Sequence, residues 1–174
     1  MKTLKIPTLV MLFVVALSTL QSCKKEKEEE INLKDQTFVT TAYSKNSFAM
    51  QAAILARSKG AASDVTAYAE KLSTSSAATA QQMTTLAQAK GWVVPNVLQP
   101  EDQARLDMLN NIDAAAFNKE FAKTMVTSQL DAITAYERAS TEVGNAELRT
   151  YVNTSLPALR TQLNDTNALS AKYP

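Results

Sequence analysis

Apolar side chains recur every three or four residues through most of the chain, which is the period of an amphipathic helix. The first such segment spans about Leu33 to Ser58, and the second begins near Ser63, a predicted N-cap, and stops before Gly91. Two later segments begin at Asp113 and Asn145, residue types that favour the N-cap position. Sustained alternation and hairpin turn signals are missing from the sequence. The pattern therefore predicts an all-α chain with four long helices.

The breaks between these segments predict how the helices connect. Gly60 and Gly144 stand at short breaks, which makes the flanking helices antiparallel neighbours. A longer linker contains Pro100, which is expected to open a short extra helix. The predicted architecture for residues 33–174 is an antiparallel, ferritin-like four-helix bundle with this short helix in its middle linker. An extended coiled coil fits less well, because the glycines cut the pattern into similar lengths.

The first 22 residues have the three-part pattern of a secretory signal peptide. Lys2 and Lys5 precede an uncharged, largely apolar run, which is shorter than the roughly 20 residues of a membrane-spanning helix. Cys23 is the single cysteine of the chain, and the LQS that precedes it resembles the bacterial lipoprotein box. The expected outcome is removal of residues 1–22 and lipidation of Cys23. The alternative is an uncleaved membrane helix with an incidental thiol.

The charged run KKEKEEE follows Cys23, and residues 23–32 are interpreted as the lipidated cysteine and a solvated tether. Several acyl chains give stable attachment, so the protein is expected to be anchored to the outer membrane. An acidic stretch soon after the cysteine resembles the surface-export signal of Bacteroidetes lipoproteins. A plain spacer on the periplasmic face is the other interpretation, and both stay open.

Composition excludes several classes of function. The formal net charge is +1 and basic residues do not cluster beyond the tether, so a nucleic-acid partner is not expected. The chain contains no histidine, which removes histidine acid–base and nucleophile chemistry. A glycine-rich phosphate loop is missing as well. Because the single cysteine is assigned to lipidation, we do not expect an enzyme.

Several ordered stretches carry a resemblance to a known family. They are DQTFVTTAYSKNSFAMQAAILARS, VTAYAEKLSTSSAATAQQMTTLAQAKG, FNKEFAKTMV and LPALRTQL. Together they resemble the ferritin-like bacterial envelope family called domain of unknown function 4142, over about residues 35–169. The resemblance implies a four-helix bundle, and it gives almost no indication of a biochemical activity. It also implies an inward Glu on the first helix and one inward His on each of the others, a set that suits a metal.

At the matching positions this chain has Gln51, Ser76, Gln129 and Gln162, all neutral. One hypothesis is a converted inward polar cluster that holds a small ligand. The other is a decayed site whose amides and hydroxyls satisfy one another. Either way, the missing ligands predict no cofactor and no tightly bound transition metal.

The aromatic residues give a further interpretation. Trp92 is the single tryptophan and is either an anchor for a partner or a plug at one end of the bundle. The tyrosines at positions 43, 68, 136 and 151 are interpreted as bundle edges with hydrated hydroxyl groups.

The function predicted from these observations is a non-enzymatic envelope lipoprotein, a helical module that binds or supports something unidentified. Its partners would be the membrane, through lipid on Cys23, and an unknown protein, glycan or small ligand. A chaperone-like protein that holds other envelope proteins is a variant of this hypothesis. The alternative is a ferritin-like metal or redox protein with a non-standard site. Met50, Met83 and Met125 are candidate Cu(I) ligands for that alternative, although methionine at helical spacing is more typical of core packing.

Overall fold

The computed structural model describes the backbone of residues 8–174 and the side chains from residue 25 onward. Within that part the chain forms five helices and no strand, so the all-α prediction is confirmed. The helices are α1 (Thr8–Ser58), α2 (Ser63–Lys90), α3 (Pro100–Asn111), α4 (Ala114–Glu142) and α5 (Ala146–Ser170). None of the described helices combines the length and apolarity that crossing a membrane requires. The predicted signal peptide and Cys23 lie outside the described side chains.

The long helices form two antiparallel pairs that lie side by side. Trp92, just past the end of α2, donates a hydrogen bond to Asn32 of α1 at 3.1 Å. Lys119, near the start of α4, reaches the carbonyl of Pro174 after α5 at 2.5 Å. The pairs join because α1 packs against α4 and α2 packs against α5, while α3 contacts both α1 and α4.

Most helix ends follow the predicted signals. Pro100 opens α3, and the side chain of Asn145 caps α5 by accepting two backbone N–H groups at 3.0 Å. Asp113 is the N-cap of α4, although its side chain makes no capping bond. The prediction for Ser63 was wrong, because Ala62 occupies the N-cap and Ser63 is already helical. The N–H of Ala62 bonds a side chain of α4, so a tertiary contact replaces the local cap.

Helix α1 begins earlier than the predicted start at Leu33, because the charged segment is itself helical. Lys and Glu are good helix formers, and Lys34 pairs with Glu30 one turn away at 2.8 Å. Residues 25–34 are exposed throughout. The buried side chains all fall between Asp35 and Leu169 in the part of the chain whose side chains are described, from residue 25 onward.

The core consists of two apolar clusters that share the same four long helices. One contains Phe48, Phe117 and Phe121. The other contains Phe38 and Tyr136, whose rings pack edge to face with centroids 4.9 Å apart. Each of α1, α2, α4 and α5 contributes to both clusters. A layer of polar side chains interrupts the apolar core between them.

Candidate functional site

The polar layer is a ring of side chains from all four long helices around one small cavity of about 20 Å³. Its members are Lys45 and Asn46 of α1, Ser76 of α2, Ser128 and Gln129 of α4, and Gln162 of α5. Ala49 of one apolar cluster and Tyr136 of the other also line the cavity. The layer therefore lies at mid-length, between the two clusters.

Three of the four predicted cluster positions meet in this layer, namely Ser76, Gln129 and Gln162. Gln51 does not, so its predicted inward orientation was wrong. It is exposed and lines a surface groove of about 370 Å³ between α1 and α3. Asn46 takes the inward place on α1, and five residues separate the two positions, which turns Gln51 about 140° away around the helix.

The amides of the layer are unequally satisfied. Gln162 donates to the hydroxyl of Ser75 at 2.8 Å. Gln129 is 4% exposed, and its Oε1 atom accepts no hydrogen bond from the protein. Buried acceptors almost always have a partner, which makes this oxygen the chemically unusual atom of the layer.

Two buried tyrosines adjoin the layer and contradict the predicted hydrated edges. Tyr136 is 2% exposed, and its hydroxyl lies 3.1 Å from that of Tyr151. The Tyr151 hydroxyl in turn donates to the carbonyl of Thr79 at 3.3 Å. Burial raises the pKa of both phenols. Burial also raises the pKa of Tyr68, whose hydroxyl lies 2.6 Å from that of Thr166.

The charged member of the layer, Lys45, belongs to an ion network that attaches α3. Its ammonium lies 2.8 Å from Oδ1 of Asp102, a fully buried carboxylate that also accepts the Ser44 hydroxyl at 2.5 Å. Arg105 lies 3.6 Å from the same oxygen and pairs with Asp131 of α4 at 2.5 Å. Asp102 thus neutralises Lys45 from outside the cavity, and the network ties α3 to both α1 and α4.

The side chains of the polar layer do not fit a metal ion. Transition metals prefer imidazole, thiolate or carboxylate, whereas the layer offers amides, hydroxyls and an ammonium without a free lone pair. Among residues 25–174, no group of three or more Asp, Glu, Cys or His side chains converges. The methionines considered for copper are also dispersed: Met83 and Met125 belong to different apolar clusters, and Met50 is half-buried.

Trp92 packs half-buried against the cluster that contains Tyr136, and its indole N–H bonds Asn32. This position covers one end of the helix pairs. Contact with a partner stays a prediction for this residue.

Comparisons with known proteins give a family and a fold. The model of a family described as "Domain of unknown function (DUF4142)" matches residues 20–169. The crystal structure of a DUF305 fragment from Deinococcus radiodurans superposes with a TM-score of 0.70 at 13% sequence identity. That match covers 80% of this chain and 96% of the fragment, and at this identity it shows the fold alone. A search of curated proteins gave no match.

Proposed function

Because the chain belongs to the family described as "Domain of unknown function (DUF4142)", whose description fixes no activity, we propose a role from its own residues. The protein is a non-enzymatic, lipid-anchored module of the cell envelope that acts through its surface. Helices α1, α2, α4 and α5 form a ferritin-like antiparallel four-helix bundle in this proposal. The two antiparallel pairs and the contacts between them support that arrangement.

The size and chemistry of the polar layer carry the non-enzymatic part of the proposal. Pockets for small molecules usually measure about 300–1,000 Å³, whereas this cavity has about 20 Å³. An organic substrate is too large for it. The hydroxyls of Ser76 and Ser128 have no carboxylate or imidazole in the lining to activate them as nucleophiles, and Lys45 is already paired with Asp102. Contacts with other molecules therefore fall on the outside of the helices.

The segment before the core supports the anchored part. Lipid on Cys23 would hold the chain at the outer membrane, on its periplasmic or its outer face. Residues 25–34 form an exposed, charged helix. At 1.5 Å per residue, this helix adds about 15 Å between the anchor and the core. A spacer of this length leaves the surface of the module accessible to a protein, glycan or small ligand.

Metabolic labelling with a palmitate analogue tests the anchor. We expect label on the full-length protein in a lipoprotein-processing bacterium and loss of that label with Cys23→Ser. An unlabelled wild-type protein would overturn the anchor.

A thermal-unfolding experiment tests the absence of metal chemistry. Residues 24–174, purified without an affinity tag of histidines, are heated with Cu(I), Zn(II), Fe(II) or Mn(II). A metal that binds the folded state raises Tm by mass action, and we expect no rise with any of the four. A rise would favour a ferritin-like metal or redox protein instead.

A further inference from the structure

We propose that the polar layer binds one ordered water molecule, held by Oε1 of Gln129 between α2 and α4. The inference concerns the polar layer between the helices and does not depend on the lipid anchor or on a surface partner. Its starting point is the buried Gln129 oxygen, which has no donor within the protein.

The cavity has the size for this ligand. Roughly 10–15 Å³ of probe-occupied volume is enough for one water molecule, and the cavity has about 20 Å³. Most monoatomic ions would fit this space as well, so chemistry has to decide between them.

The chemistry of the lining favours a neutral donor over an ion. The unpartnered oxygen of Gln129 is an acceptor, which disfavours an anion and requires a ligand that donates a hydrogen bond or is a cation. A cation is disfavoured in turn, because no carboxylate, imidazole or thiolate lines the cavity to balance its charge. Water satisfies both conditions, since it donates to Gln129 and accepts from a neighbouring hydroxyl, amide or ammonium.

The neighbours supply the remaining partners that a buried water needs. Such waters make about three hydrogen bonds. Ser76 and Ser128 both line the cavity and present hydroxyls that can donate or accept. The water would therefore join α2 to α4, and it would complete the hydrogen bonding of a layer whose members interrupt the apolar core.

Crystal structures of residues 24–174 at about 1.2 Å resolution, or better, test the proposal. We expect one ordered water within about 3.2 Å of the Gln129 oxygen. Gln129→Leu keeps a similar volume without the acceptor and should lose this water. Gln51→Leu is the matched control, because Gln51 is exposed and lies outside the layer, and it should retain the water.

Soaks in bromide and in rubidium distinguish water from ions, since each gives an anomalous signal. A bromide or rubidium peak in the cavity would overturn the proposal. So would a rotated Gln129 amide whose atoms all bond the protein, or a water that persists in Gln129→Leu. The wild-type crystal decides the question alone if the leucine variant does not fold.

Discussion

The carboxylate of Asp35 holds the turn at Gly144. Its Oδ1 atom accepts the Gly144 N–H at 2.8 Å, and its Oδ2 atom accepts the N–H of Asn145 at 3.1 Å. Asp35 is 3% exposed and lies on α1, more than a hundred residues before the turn in sequence. The bonds therefore fix α1 against the junction of α4 and α5, at the end of the molecule where α1 enters the core.

Replacing this carboxylate should destabilise the fold. Asp35→Ala leaves two backbone donors without their partner, which costs about 1–3 kcal/mol in the free energy of unfolding. Urea denaturation of residues 24–174 measures the change. The control is Asp107→Ala, because Asp107 is exposed and accepts its bond from Gln103 on the same helix; its effect should stay within about 0.5 kcal/mol. Equal effects in the two variants would contradict a role for Asp35 at the turn.

A second contact at the same turn depends on the lack of a side chain at Gly144. A Cβ atom placed there would lie 2.0 Å from Cγ2 of Ile31. Gly144→Ala should therefore cost about 1–3 kcal/mol through overpacking. Adding Ile31→Ala removes the Cγ2 contact and leaves only a Cβ atom at 3.2 Å, so the double variant should be more stable than Gly144→Ala alone. If the double variant is less stable instead, Ile31 does not pack against this turn.

The buried carboxylate of Asp102 should matter more than its exposed neighbour. Asp102→Ala removes the partner of Lys45 and leaves the ammonium in a half-buried position, for which about 3–5 kcal/mol is typical. Glu101→Ala removes an exposed partner of Arg105 from the same helix and should cost about 0–1 kcal/mol. Denaturant titration of both variants measures the two losses in the free energy of unfolding, which can then be compared. Comparable losses would show that position in the ion network, rather than burial, sets the cost.

Stability should fall at alkaline pH because of the buried tyrosines. Burial raises the pKa of Tyr136 and Tyr151 above the ordinary value of 10.0. Below pH 10 the folded and the unfolded chain both keep the phenolic protons, and the stabilising contribution of the two buried tyrosines is fully present. Above it the unfolded chain loses them first, so each tyrosine lowers stability by about 1.4 kcal/mol per pH unit until its folded pKa is reached.

The free energy of unfolding measured between about pH 9 and pH 11 checks this slope. Tyr136→Phe and Tyr151→Phe should each make the decline shallower. A decline that is unchanged in both variants would assign it to other groups.

Histidines placed in the polar layer should create a metal site. Ser76, Gln129 and Gln162 line one cavity, so the triple variant S76H/Q129H/Q162H brings three imidazoles together, and three histidines with water suit Zn(II). We expect zinc to raise the Tm of this variant. At a hundredfold excess of zinc over Kd, the free energy of unfolding should rise by about 2.7 kcal/mol. The control S76H/Q51H/Q162H places one imidazole on the surface and should respond weakly. Equal responses would mean that the three side chains do not converge.

Local signals in the sequence predicted much of the helical framework. Pro100 and Asn145 act within one turn of their own position, and both begin or cap the expected helices. Ser63 shows the limit of such signals, because Ala62 occupies the N-cap instead and donates its backbone N–H to a side chain of α4. The charged segment before Leu33 shows a second limit of local signals, since its composition suits a solvated chain and an exposed helix equally well.

The candidate site was predicted in part. Ser76, Gln129 and Gln162 were placed together through the family resemblance, which carries long-range information that a single helix period lacks. Gln51 was misplaced by less than two turns, and Asn46 and Lys45 were missed although they interrupt the apolar stripe of α1. The Gln129 oxygen lacks a partner because of how the helices pack around it, so no local pattern in the sequence could predict it.

The position of Trp92 lets the intrinsic fluorescence of the protein report on one end of the fold. Indole fluorescence depends on the surroundings of a single residue here, bonded to Asn32 and packed over the cluster that contains Tyr136. Detachment of the segment of α1 around Asn32 would shift the emission while most of the circular dichroism persists. Fluorescence and dichroism melting curves that separate would thus report fraying beside the predicted anchor, with no label added.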